Sequence, residues 1–247
     1  MVLFFHMDLL RCKIMVLVTG DIHGCADIAK LTAKANPIQK EMTKADFLII
    51  AGDFGLVWNN DAEDIWWRDW LDKKPYTTLF VDGNHENFDL LYDYDVIDFH
   101  GGKAHRIGKS IYHLMRGEMF ELQDKLFFTM GGAESHDKEF RTLGSSIWTQ
   151  ELPSDEEYVH AVETLEKYGW RTDFVITHCA PTPIQAEIAG ILGLEGEYPA
   201  NRLTDFLQQI HERLDFQGWF HGHYHTDLTS SIDPRVNLLF NNILQLV

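Results

Sequence analysis

Three things are scarce in this chain. The first is cysteine: 3 residues in 247, with no CxxC pair. An odd, thinly spread set excludes a disulfide framework and a thiolate zinc site. Free thiols fit a reducing compartment, so a cytoplasmic location is expected. The second is the long apolar run. None approaches the roughly 20 residues that a membrane span needs. Residues 1–14 are apolar but are broken by Asp8, Arg11 and Lys13, and no small-residue cleavage site follows, so no signal peptide is expected. The third is positive charge. Lys and Arg number 21 against 38 Asp and Glu, for a net charge of −17. Affinity for nucleic acid rests largely on basic side chains at phosphates, so a polynucleotide partner is disfavoured. Repeats, low-complexity segments and Ser/Pro/Gly-rich linkers are also missing.

Apolar residues make up 45% of the chain, enough for a sizeable core. One domain is expected over residues 15–247, with residues 1–14 as an extension the fold does not need. Residues 15–19, 47–51 and 77–81 are continuous β-branched and apolar runs, each followed by glycine within two residues. Such runs read as strands buried on both faces. Helices are expected at 25–35 and 61–72, the second capped by Asp61. The first third therefore reads as strand–helix–strand–helix–strand, the pattern of parallel βαβ units. Short strands follow at 111–114, 118–122 and 125–130, with a hairpin through Gln123-Asp124. Residues 131–153 lack periodicity and read as a loop over a site. Ser154 and Glu157 form a capping box for a helix at 155–168. Then come a strand at 174–177, a helix at 200–213, a strand at 218–220 and a closing hairpin through Asp233-Pro234. The fold class expected is α/β: two mixed β-sheets packed as a sandwich, flanked by helices.

The chemistry is concentrated in five clusters. They are Asp21-Ile22-His23, Gly52-Asp53, Gly83-Asn84-His85-Glu86, Thr177-His178 and Gly222-His223-Tyr224-His225. Each follows a strand-like run. Ligand sites of α/β sheets lie beyond the carboxyl ends of the strands, so all five can share one pocket. In Asp21-x-His23 and His223-x-His225, residues two apart point to one side of an extended segment. A mixed oxygen and imidazole set suits Mn²⁺, with Fe and Zn²⁺ as alternatives. Asp53 has two oxygens and can bridge two ions, while Asn84 offers a neutral carbonyl. Two divalent ions bring about +4, and two carboxylates with one hydroxide remove about three. The positive remainder attracts a phosphate ester.

These residues, in this order, resemble the calcineurin-like metallophosphoesterase superfamily, with matching motifs from residue 15 to 225. The resemblance implies a four-layer sandwich with a binuclear centre at its edge. It implies that Asp21, His23, Asp53 and His225 hold one metal, and that Asp53, Asn84, His178 and His223 hold the other. His85 would then be no ligand but the general acid at the leaving oxygen of a phosphoester attacked by a two-metal-activated hydroxide. The chain lacks the Gly-Asp-x-x-Asp-Arg-Gly run of phosphoprotein phosphatases; here Gly52-Asp53-Phe54-Gly55-Leu56-Val57-Trp58 stands in its place. Arg141 and His136, in the loop, and Trp58 are candidate substrate contacts, though a solvated surface arginine is the commoner fate of such a residue. Trp66, Trp67, Trp70 and Leu71 fall on one helical face, expected to be buried. Cys25 and Cys179 are expected to be small buried residues beside the site. The substrate expected is a phosphorylated small molecule or peptide. A nuclease of the same superfamily and a catalytically inactive binding scaffold are the alternatives.

Overall fold

The computed structural model describes residues 14–247; the expected extension, save its last residue, lies outside the described residues. The strands are β1 (Val16–Thr19), β2 (Phe47–Ala51), β3 (Thr77–Val81), β4 (Val96–Phe99), β5 (Gly102–Arg106), β6 (Ile111–Leu114), β7 (Glu118–Leu122), β8 (Lys125–Met130), β9 (Phe174–Thr177), β10 (Gly218–His221), β11 (Leu228–Thr229), β12 (Val236–Leu238) and β13 (Ile243–Gln245). The α-helices are α1 (Ala62–Asp72), α2 (Phe88–Leu91), α3 (Asp155–Lys167), α4 (Thr182–Leu192) and α5 (Arg202–Arg213). Seven strands form one sheet in the order β13-β1-β2-β3-β6-β5-β4, and six form the other in the order β11-β12-β10-β9-β8-β7. Both are mixed, with β1, β2, β3 and β6 parallel in the first and β8, β9, β10 and β12 parallel in the second.

Strands β1, β2, β3, β9 and β10 are buried along their whole length because both faces are covered. Val16, Val18, Ile49, Leu79 and Val81 point inward against Phe120, Phe127, Phe174, Ile176 and Phe220 of the facing sheet. Their neighbours Leu17, Leu48, Ile50 and Phe80 point outward onto Leu31, Leu71 and Phe88. On the far side, Val175 and Trp219 pack with Ala161 and Leu165 of α3, Ile184 and Ile188 of α4, and Leu203 and Leu207 of α5. The result is the expected layering, sheet against sheet with helices outside.

Local expectations hold where a cap or turn defines them. Asp61 accepts from the Glu63 and Asp64 amides, and Ser154 and Glu157 close a capping box on α3. Gln123 and Asp124 both take positive φ, 58° and 57°, as a two-residue hairpin of primed type requires. Three expectations need correction. Residues 25–35 form no α-helix. They hold one 3₁₀ turn, Ile28–Leu31, with a second at Pro37–Glu41, because the Thr32 hydroxyl bonds back to Ala29 O and Pro37 starts a new turn. The tryptophan face of α1 is buried only in part: Leu71 is in the core and Trp67 and Trp70 pack half-buried against it, but Trp66 is 57% exposed, and the inner face also carries Asp64 and Arg68. That face is polar because it clamps the loop after Asp53. Asp64 accepts the amides of Trp58, Asn59 and Asn60, and Arg68 donates to Leu56 O and Asn60 Oδ1. Cys25 is exposed rather than buried; Cys179 is buried.

Candidate metal centre

Five parallel strands, β1, β2, β3, β9 and β10, deliver one cluster each at their carboxyl ends, three from one sheet and two from the other. Reaching a common point forces unusual backbone. His23, Asp53, His223 and His225 adopt positive φ of 43°, 48°, 78° and 49°, a region that costs non-glycine residues free energy and persists where surroundings impose it. The glycines beside them are there for close approach. A Cβ on Gly52 (φ 95°) would lie 2.0 Å from His178 Nδ1, and one on Gly222 would lie 1.9 Å from Asp21 Oδ1.

Asp53 sits at the centre, 1% exposed. Its Oδ1 accepts the His85 amide at 2.8 Å and lies 3.3 Å from His178 Nε2. Its Oδ2 faces the other way, 3.2 Å from His23 Nε2. One carboxylate thus spans two groups of donors. On the first side, donor atoms of Asp21, His23, Asp53 and His225 all lie within 4.8 Å of one another. His225 Nε2 is 3.4 Å from Asp21 Oδ2, and the His23 and His225 rings meet edge to face at 4.7 Å. On the second side, His178 Nε2 lies 3.2 Å from Asn84 Oδ1, and the His178 and His223 ring centres are 5.0 Å apart.

The atoms facing inward lack partners of their own. His23 Nε2 and Asp53 Oδ2 are buried without a hydrogen bond. His178 Nδ1 donates to Ala51 O at 2.9 Å, which leaves Nε2 directed at two acceptors, Asp53 Oδ1 and Asn84 Oδ1. Only a cation or a second ring proton satisfies that arrangement. The titration shifts agree. Burial opposes charge on His178 and His23, yet Asp53 and Asp21 push them up to about 10 and about 9. Burial likewise opposes charge on Asp53, but His178 and His23 hold it well below the carboxylate range. Burial raises Asp21, partly offset by His178. His223 falls well below its ordinary value through burial and the nearby His178; His225 falls through burial too. The pocket requires positive charge among oxygen and imidazole donors, and divalent ions fit it.

An outer ring of contacts aims these donors. Asp27 Oδ2 takes His23 Nδ1 at 2.8 Å and fixes the ring. The Asn84 amide group donates to Ser135 Oγ, so its carbonyl oxygen turns to the centre. Both oxygens of Asp21 accept the His223 amide. Glu86, fully buried, receives the Phe54 and Gly55 amides and shapes the turn carrying Asp53; burial and Asp53 push it up to about 8. Lys30 donates to the carbonyls of Gly20, Asp21 and Phe240, and Phe240 stacks on His225. Asp82, directly before Gly83, forms a buried ion pair with Arg116 and lies within hydrogen-bond distance of His113 Nε2. Sequence reading passed over Lys30, Asp82, Arg116 and Ser135. Only Asp82 carried a signal, as the acid directly before Gly83-Asn84-His85.

The three loose candidates fall in different places. Arg141 is brought in from the loop. Its Nη1 and Nη2 lie 3.3 and 3.2 Å from the two His85 ring nitrogens, and Asp137 and Ser146 O hold it there. The solvated-arginine expectation is thereby corrected. His85 meets the His23 ring at 5.5 Å; burial and Arg141, against Asp53, lower its pKa. Trp58 lines a cavity of about 300 Å³ that opens beside His23 and His85. His136 packs against Tyr198 in a second cavity of about 350 Å³; Tyr198 also meets the His223 ring, and His136 is close enough to help lower the His223 pKa.

A family model described as calcineurin-like phosphoesterase matches residues 14–227, and the chain belongs to that family. Among solved structures it is similar to the sulfate thiohydrolase SoxB of Thermus thermophilus in complex with glycerol, at 12% identity and a TM-score of 0.38. That match covers 93% of this chain and 51% of the other, so the chain spans about half that protein's length. No curated protein matches it significantly. Among the described residues, no helix is long and apolar enough to cross a membrane.

Proposed function

We propose that the chain is a metal-dependent phosphoesterase with a binuclear centre. The observation that carries this is the Asp53 carboxylate. It divides its oxygens between His178 Nε2 and His23 Nε2, each imidazole nitrogen lacking any other partner suited to a bare lone pair. Asp21, His23, Asp53 and His225 would hold one ion and Asp53, Asn84, His178 and His223 the other, Mn²⁺ before Fe or Zn²⁺. When bound, the pair supplies positive charge for the phosphoryl oxygens and a water of lowered pKa.

The chain's own groups do the rest. Asp27 and Ala51 O keep the Nε2 lone pairs of His23 and His178 pointed inward. His85 stands at the mouth of the cavity and gives a proton to the departing oxygen as general acid. Arg141 lowers the basicity of that imidazole and offers a guanidinium edge to an incoming phosphate. An anionic substrate offsets the repulsion between the two, so His85 gains its proton as phosphate arrives. The free thiols Cys25 and Cys179 favour a reducing compartment, the cytoplasm. The test is hydrolysis of p-nitrophenyl phosphate with added Mn²⁺, abolished by a chelator and restored by metal. Absence of turnover with Mn²⁺, Fe²⁺ and Zn²⁺ in turn would overturn the reading.

A further inference from the structure

Beside His23 and His85, the cavity of about 300 Å³ has walls of a particular kind. Trp58 and Trp67 form two of them, with Leu56, Gly24 and Gly55 also in the lining; the two glycines pack backbone to backbone, where a Cβ on Gly55 would lie 2.7 Å from Gly24 N. Both indoles are braced. Trp58 meets Trp148 edge to face at 5.5 Å, and its backbone is tied to Asp64 and Asn87. Trp148 in turn donates its indole N–H to Asp89. Trp67 is held between Trp66 at 4.6 Å and Trp70 at 5.5 Å. Aromatic walls packed against neighbouring indoles suit a flat ring, which stacks or meets them edge on. The volume is at the low end for ligand pockets, which suits one ring system rather than a chain or a polymer.

The charge of the lining narrows the choice. Away from His23 and His85 its ionisable members are the acids Asp61, Glu63 and Asp64 and the Cys25 thiol, and neither Lys nor Arg is in the lining. Asp61 is occupied by the start of α1, and Asp64 takes three amides through one oxygen. Glu63 is exposed at the rim, next to the Cys25 thiol, whose pKa it raises. A second phosphate or a carboxylate on the leaving group would meet this wall uncompensated, whereas an ammonium or N–H donor would be welcomed by Glu63 and by the indole faces.

We infer that this cavity is the leaving-group site, and that it selects phosphoesters whose leaving group is a single flat ring system, neutral or cationic, and excludes those bearing a further anion. The inference rests on the phosphoesterase reading for its reaction. It assigns Trp58 and Trp67 as ring-binding residues and Glu63 as the charge filter.

The experiment compares kcat/KM of the Mn²⁺-loaded full chain for four monoesters: phenyl, 4-(aminomethyl)phenyl, 4-carboxyphenyl and ethyl phosphate. The order expected is aminomethylphenyl, then phenyl, with carboxyphenyl and ethyl behind. In Trp58→Ala, the phenyl-to-ethyl ratio should fall about tenfold, the worth of one stacked ring. Glu63→Lys, a surface change that leaves the core intact, should reverse the order of the aminomethyl and carboxy compounds. A phenyl-to-ethyl ratio unmoved by Trp58→Ala, or a carboxyphenyl preference in the parent chain, would overturn the inference. A separate arm needs no turnover: benzylamine binding followed by tryptophan fluorescence, expected in the parent chain and weakened in Trp58→Ala. Binding without hydrolysis of any ester would sink the phosphoesterase reading and leave the ring site standing. Hydrolysis without ring preference would do the reverse.

Discussion

Loading the centre with metal should expel protons, and the number follows from the geometry. In the metal-free chain, His178 and His23 are pushed up to about 10 and about 9, chiefly by Asp53 against the opposing effect of burial. Near neutral pH both are imidazolium. The extra proton on His178 sits on Nε2, between Asp53 Oδ1 and Asn84 Oδ1, because Nδ1 is already committed to Ala51 O. A metal needs that lone pair, and the same holds for His23 Nε2 once Nδ1 is committed to Asp27. His223 and His225 are lowered and already neutral, so they release nothing. Filling both sides therefore displaces about two protons, and overall affinity should steepen by about a hundredfold per pH unit below pH ~9. Calorimetric titration with Mn²⁺ in buffers of different ionisation enthalpy gives the proton count directly as a slope. A slope of zero at pH ~7.5 would refute the reasoning, because it would mean that neither imidazolium stands where the ion goes. His178→Ala should lower the count by about one. The same shifts fix a stability trend. A raised histidine pKa contributes stability that is fully present below its unfolded value of about 6.5 and is lost as pH rises through the folded value. The melting temperature of the metal-free chain should thus fall between pH ~6.5 and ~10, and bound Mn²⁺ should flatten that fall.

Three further predictions concern single residues. His85→Asn should keep the full metal content while kcat drops by about 10²–10⁴, the usual worth of a general acid; loss of metal in that variant would mean His85 is a ligand. Gly52→Ala places a Cβ 2.0 Å from His178 Nδ1 at a φ of 95°, so urea unfolding should show a loss of at least about 2 kcal/mol together with weaker metal binding. An unchanged midpoint would show that the β2 turn can yield. Lys30→Met strands three carbonyls around the Asp21 and Phe240 backbones, and a cost of about 1–3 kcal/mol is expected, felt as a weaker metal Kd at preserved secondary structure. A parent-like Kd would remove Lys30 from the support of the site.

Much of the architecture is written in short-range pattern. The runs at 47–51, 77–81, 111–114, 118–122, 125–130 and 174–177 coincide with strands residue for residue: two-sided burial demands apolar sequence at 47–51, 77–81 and 174–177, and the two-residue turn at Gln123-Asp124 delimits 118–122 and 125–130. Caps with a stated donor and acceptor, Asp61 and Ser154-Glu157, were equally legible. Strands β4 and β5 carry polar and half-exposed residues and gave no such signal; β4 is an edge with the burial pattern of one covered face at most. Helix α4 lacks a side-chain cap; its only sequence signals are the proline in its first turn and Gly193 at its left-handed end, and the sequence reading passed over both. Trp66 of α1 lies exposed although it shares a helical face with Leu71, because Asp64 and Arg68 are needed inside to bond the loop after Asp53.

The sequence alone determined which donors exist and that they fall after strands, because ligand chemistry and strand periodicity are both local. Only the folded chain decided how they meet. The tautomer of His178 is set by Ala51 O, 127 residues away in the chain. Arg141 reaches His85 across 56 residues through a loop without periodicity, while His136, five residues earlier in the same loop, faces another cavity. Side-chain direction in irregular backbone depends on contacts distant in sequence, and no spacing rule encodes those.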